Sequence, residues 1–229
     1  MTKLDNIEMV DLWESFDTFS NENKQTLLLS KILKPSHEEE ISNWTIEKID
    51  YFLFKYRCLN FGYAFKNLSV CPKCNHTLEW EFNYKDFNFP AESCDKFEYN
   101  IGEDVFEIRL PKYSDLKVNN QYDFLYLLLQ NPKKEIKISE ELLNELLKTI
   151  EFHSPHSSLS FSLNCAHCVH SWNEQFDISN YLIKDINSKI KHLLYNVHLI
   201  ASRYNWDEDS ILKMSDAKRK YYLNLINEA

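Results

Sequence analysis

Cys71-Pro72-Lys73-Cys74 and Cys165-Ala166-His167-Cys168 are the two stretches whose reading decides the fold. A Cys-x-x-Cys pair is too tight for a comfortable disulfide, but two such knuckles supply the four soft ligands that a tetrahedral metal needs. Strand-like residues follow each pair. Thr77-Leu78-Glu79-Trp80-Glu81-Phe82-Asn83-Tyr84 alternates apolar and polar without a fault, and Ser171-Trp172-Asn173-Glu174-Gln175-Phe176-Asp177-Ile178 does so nearly as well. A knuckle that turns into a strand, twice, is the layout of a zinc ribbon. Ninety residues separate Cys74 from Cys165, well beyond the usual gap of ~15–20. The site is therefore discontinuous, one zinc per chain held by Cys71, Cys74, Cys165 and Cys168.

Two rival chemistries fit less well. A redox dithiol places its attacking cysteine at a helix N-terminus, where the dipole lowers the thiol pKa, whereas β-alternation follows both pairs here. A disulfide framework suits a secreted chain. Met1-Thr2-Lys3-Leu4-Asp5 runs into mixed polar and apolar residues instead of a signal-peptide pattern, so a cytoplasmic setting is expected. A chain of 229 residues also has room for an ordinary core without covalent staples. Four cysteines fill a tetrahedron and leave no position for water, so the zinc is expected to be structural rather than catalytic. His76, His167 and His170 could replace a cysteine or donate to a sulfur. Their more ordinary task, like that of Lys73, is to offset the charge of four thiolates. Cys58 and Cys94 read as lone small residues without a ligand role. His192 and His198, and His153 and His156 around a proline turn, lack the spacing of a helical ligand pair, and no catalytic constellation emerges.

Composition narrows the partners. The hydrophobic content of 44%, with 15 Phe and 13 Tyr, suffices for a core, and no apolar run approaches the ~18 residues of a membrane span. A net charge of −9 opposes nucleic-acid binding, which relies on cationic neutralisation of phosphates. Only Gly62 and Gly102 are glycines, so no phosphate-cradling loop can be assembled. Neither a nucleotide nor another small-molecule substrate is expected.

Along the chain, residues from about Asn21 to Leu33 predict a helix ended by Pro35, and a second is expected from Ser42 or Asn43 to Gly62. Phe97–Tyr99 and Val105–Leu110 predict a hairpin about Asn100-Ile101-Gly102-Glu103. Helices follow over Asn120–Gln130 and Ser139–Ile150. Leu159, Phe161 and Leu163 then alternate into the second knuckle. The longest helix should start near Ser179, with Leu182, Ile186, Ile190, Leu193, Val197, Ile200 and Tyr204 forming one stripe. Asp207 and Ser215 cap two short helices. The expected fold class is α+β, a small antiparallel zinc-ribbon core flanked by helices, one of them long and C-terminal. We read 1–229 as a single domain, with 1–36 a helical N-terminal extension and 37–229 the helices and ribbon core.

This order resembles a family of small proteins encoded with contractile phage tails and phage-tail-like injection systems, related to the T-even phage baseplate hub proteins. The matching residues are Cys71 and Cys74 with Leu78-Glu79, Arg109-Leu110-Pro111 with Asp115-Leu116, and Cys165 and Cys168 with Trp172 and Phe176-Asp177-Ile178. They continue with Val197-His198-Leu199-Ile200-Ala201 and the ending Tyr204-Asn205-Trp206-Asp207-Glu208 … Ile211-Leu212 … Arg219-Lys220-Tyr221-Tyr222-Leu223. Asn75 stands where such a knuckle usually has glycine, a mild departure because Asn tolerates left-handed φ. The resemblance implies a non-enzymatic structural or assembly role at a baseplate hub, in contact with other baseplate, spike or tail-tube proteins. A departing cytosolic assembly chaperone and a zinc-ribbon adaptor for transcription or RNA are the alternatives. The partner face is expected in the C-terminal segment, at Tyr204, Trp206, Arg219 and Tyr222, since aromatics and arginine are enriched at interface centres. The competing reading is that rings such as Trp206 simply close the core.

Overall fold

The computed structural model describes residues 3–16, 21–33, 41, 43–102, 104–130 and 138–228. The protein is mixed α+β, with small antiparallel sheets and a long C-terminal helix, and it divides into two compact units, His37–Ser179 and Met1–Ser36 with Asn180–Ala229.

In the Met1–Ser36 and Asn180–Ala229 unit, α1 (Asn6–Ser15) starts at a capping box. The Asp5 carboxylate accepts from Glu8 N, and the Glu8 side chain accepts in return from Asp5 N. Helix α2 spans Asn21–Leu33 and buries Leu28, Leu29 and Ile32; Pro35, its expected stop, lies outside the described residues. The last three helices of the chain are α6 (Ile178–Tyr204), α7 (Glu208–Leu212) and α8 (Asp216–Asn227). The expected α6 stripe is buried from Leu182 through Ile200, while Tyr204 is half-buried. Asp207 and Ser215 cap α7 and α8 as expected, and the Asn6 side chain donates to Leu212 O at the end of α7.

Within His37–Ser179, α3 runs Ile46–Phe61. The helix starts later than Ser42 or Asn43 because Thr45 takes the cap, its hydroxyl accepting from Lys48 N at 3.2 Å. Asn43 and Trp44 form a turn, and Ser42 lies outside the described residues. Gly62 ends the helix at φ 87, a conformation that glycine adopts without steric cost. The buried Arg57 then fixes the exit, donating to Gly62 O and Ala64 O and lying over the Phe65 ring at 4.0 Å.

That exit feeds a strand absent from the sequence expectations, β1 (Ala64–Val70), which pairs with β2 (Thr77–Asn83) from Ala64↔Asn83 to Val70↔Thr77. Strands β3 (Lys96–Ile101) and β4 (Asp104–Arg109) form the expected hairpin; Glu103 lies outside the described residues. The helix expected to reach Gln130 stops earlier, as α4 (Gln121–Leu128). Leu129 turns extended so that β5 (Leu129–Gln130) pairs with β4, placing the buried Leu129 opposite Ile108. Helix α5 (Glu140–His153), capped by Ser139, covers this sheet through Leu143, Leu146 and Ile150. Last come β6 (Ser160–Asn164) and β7 (Ser171–Gln175), a second isolated hairpin.

Candidate metal centre

Each Cys-x-x-Cys forms the turn of one of the isolated hairpins, β1–β2 and β6–β7. The two loops share one backbone design. Cys71 N donates to His76 O and Asn75 N to Cys71 O, both at 2.9 Å, while Cys165 N donates to His170 O and Val169 N to Cys165 O at the same distance. Closing so tight a loop puts its fifth residue in the left-handed region, Asn75 at φ 58 and Val169 at φ 57.

The loops bring all four sulfurs within 4.8 Å of one another. Cys71 Sγ lies 3.6 Å from Cys168 Sγ, and Cys74 Sγ lies 3.6 Å from Cys165 Sγ. Cys71 and Cys165 are buried, Cys74 and Cys168 half-buried. Four thiols so close can hold one metal ion, and their chemistry shows the crowding. The backbone N–H of Cys168 and then that of His167 stabilise a thiolate at Cys165 and bring its pKa down to about 6. At Cys74 the His76 N–H acts in the same sense, but burial and the thiols of Cys168, Cys165 and Cys71 outweigh it and push the pKa up to about 12. One negative sulfur thus suppresses ionisation of its neighbour, a conflict that a divalent cation at the centre would relieve.

Two devices hold the hairpins side by side. One is a phenylalanine seam. Phe65 stacks on Phe82 at 4.6 Å, and Phe82 meets Phe161 at 4.7 Å and Phe176 at 5.0 Å. The other is a buried clamp. Glu47, on α3, accepts from His156 N at 3.0 Å and Ser157 N at 3.1 Å, while His156 Nδ1 donates to its Oε1 at 2.5 Å. The Tyr84 hydroxyl, one residue past β2, meets His156 Nε2 at 3.0 Å. Burial, reinforced by the neighbouring ionisable groups Cys58, Tyr51 and Glu47, holds the Tyr84 phenol protonated beyond its usual range. The end of the first hairpin is thereby tied to the approach to the second. No sequence motif announces this clamp. Its one local signal was a carboxylate on the apolar side of α3.

The remaining cysteines stand apart from the cluster. Burial pushes the Cys58 thiol up to about 11, and Cys94 Sγ donates to Lys96 O at 2.7 Å. His170 lies over Trp172 with ring centroids 6.2 Å apart.

Of the expected partner residues, Tyr204, Trp206 and Tyr222 form one ring cluster. Centroids are 4.9 Å apart for Tyr204–Trp206 and Trp206–Tyr222, and 5.5 Å for Tyr204–Tyr222. Arg219 does not join an exposed face. It is 4% exposed, and its guanidinium donates to Ile211 O, Leu212 O and Met214 O and pairs with Asp216. The neighbouring Tyr221 is 62% exposed.

Arg109 and Asp115, two residues that carry the resemblance, form a two-bond ion pair at 2.6 and 3.1 Å, and Lys112 N adds a third bond to the same carboxylate. No helix among the described residues is long and apolar enough to cross a membrane. Comparison with family models, curated proteins and solved structures returns no match.

Proposed function

We propose that Cys71, Cys74, Cys165 and Cys168 hold one structural zinc ion, that the two hairpins form a discontinuous zinc ribbon, and that the protein is non-enzymatic. The observation that carries this reading is the sulfur spacing. Zinc–sulfur bonds of ~2.3 Å in a tetrahedron set sulfurs roughly 3.8 Å apart, and the two cross-hairpin distances are 3.6 Å. The donor set is closed, so the metal would supply fixed geometry between two segments of chain rather than activate water. Lys73 offsets part of the charge of the thiolates.

A fold clipped in this way serves as a rigid binding element. By the resemblance, we assign it to the baseplate hub of a contractile phage-tail-like particle, in contact with baseplate, spike or tail-tube proteins. The ion pair Arg109–Asp115 supports a shared scaffold, because residues of the resemblance fix a turn here rather than face a substrate. The exposed Tyr221, beside the Tyr204–Trp206–Tyr222 cluster, is the best-placed docking residue. The charge of −9 weighs against an RNA or transcription adaptor.

Quantitative mass spectrometry of purified particles tests the assignment. A resident subunit appears in fixed stoichiometry, and Tyr221→Ala weakens its incorporation without lowering its stability. Absence from finished particles whose assembly nonetheless needs the gene would replace the subunit reading with the chaperone. Absence together with unimpaired assembly would overturn the hub assignment.

A further inference from the structure

Around the four thiols the two loops are alike in backbone but unlike in side chains. The sulfurs of Cys74 and Cys165 each precede a histidine by two residues, His76 and His167. Those two sulfurs form one edge of the cluster, 3.6 Å long. Both histidines are exposed, and their rings lie together with centroids 5.5 Å apart and planes 19° from parallel. On the matching edge, Cys71–Cys168, the equivalent loop positions carry Lys73 and His170. An ammonium has no lone pair to give, and the His170 ring is already laid on Trp172.

We propose that His76 and His167 form a two-nitrogen capture point for divalent transition-metal ions, through which the metal enters and leaves the four-thiol cluster. The inference rests on the metal reading above and adds a route to it. Two imidazoles sharing one ion, at ~2.0–2.1 Å per metal–nitrogen bond, have ring centroids roughly 5 Å apart, close to the separation observed. The histidine χ2 torsion is broad, so exposed rings can turn their nitrogens toward a common point. Imidazole suits zinc, cobalt and nickel alike. A hydrated ion exchanges water for the two nitrogens and then exchanges the nitrogens for the adjacent sulfurs, so that no step leaves it bare. Each thiol that takes the metal gives its proton to solvent as it binds, and no electrons are transferred.

The test is cobalt uptake by the reduced, metal-free full-length chain, followed by stopped-flow through the cobalt–thiolate absorption. The His76→Phe/His167→Phe double variant keeps two stacked rings and removes the nitrogens. We expect its uptake, and its release of metal to a chelator, to slow several-fold and by the same factor, because the nitrogens take part in the exchange and not in the final ligand set. Final stoichiometry and thermal stability of the loaded protein should match wild type, and His170→Phe should load at the wild-type rate. Double-variant uptake equal to wild type, or equal slowing by His170→Phe, would overturn the capture point while leaving the thiol site intact. A wild-type chain that develops no cobalt–thiolate absorption would instead refute the metal site itself.

Discussion

Val169 holds, at φ 57, the same place in the second thiol loop that Asn75 holds at φ 58 in the first. Asn enters the left-handed region readily, whereas for a β-branched residue it is a true outlier. Val169 is also 84% exposed, so no packing offsets the strain. Val169→Asn should therefore raise stability by ~1 kcal/mol, within the strain a left-handed L-residue stores, and Asn75→Val should lower it comparably. Chemical denaturation of both variants checks this. A destabilised Val169→Asn protein would show that the valine side chain has a stabilising contact after all.

The clamp of Glu47 on His156 and Ser157 sets a second expectation. Leaving a buried hydrogen-bonding group without its partner costs ~1–3 kcal/mol, more where the pair is charged. Glu47→Ala, which strands two backbone N–H groups and the imidazole, should fall in that range and loosen the thiol cluster, so that metal is extracted faster. A loss of only a few tenths in urea unfolding would mean that the phenylalanine seam alone sets the hairpins.

Long α6 was legible because its stripe is local, each residue a turn from the next. Strand β1 was not, because its polarity is inverted. Leu68 and Val70 are exposed, whereas Ser69 is buried and accepts from Trp80 Nε1 at 2.9 Å. The four cysteines were legible as a set because ligand spacing is local within each pair. The clamp was not, since Glu47 and His156 meet across 109 residues and no local period connects them. The end of α4 failed for the same reason. Leu129 leaves a favourable helix for a strand pairing with Ile108 that only the folded sheet supplies.

Asp50 gives a pH dependence. Burial, then the charges of Asp177 and Glu47, raise its pKa well above the usual carboxylate value. The folded state thus binds the proton more tightly than the unfolded chain. Stability from this group is complete below the ordinary carboxylate pKa and is lost as pH rises through the folded value. Asp50→Asn should stabilise the protein at neutral pH, with the gain shrinking toward pH ~4 where both chains are uncharged at this site. Asp115 runs the other way. Burial disfavours its charge, but Arg109 and the Lys112 N–H prevail and lower its pKa, so Asp115→Asn should weaken the protein at neutral pH and progressively less in acid. Thermal midpoints across the range test both signs, and a pH-independent Asp50→Asn effect would contradict the first.

Arg219 is expected to matter for stability rather than docking. Its guanidinium serves three carbonyls at the end of α7, and a buried acceptor left unpaired costs ~1–3 kcal/mol. Arg219→Ala should lose about that much in denaturant unfolding. An unchanged midpoint would mean that water replaces the guanidinium freely.

Elemental analysis of the protein purified without added metal tests the central claim most directly. The account predicts one zinc per chain, sharply reduced in both Cys74→Ser and Cys165→Ser but retained in Cys94→Ser. It also predicts that chelation lowers the unfolding temperature of the wild-type chain. A wild-type protein that is metal-free, fully stable and indifferent to chelator would contradict it.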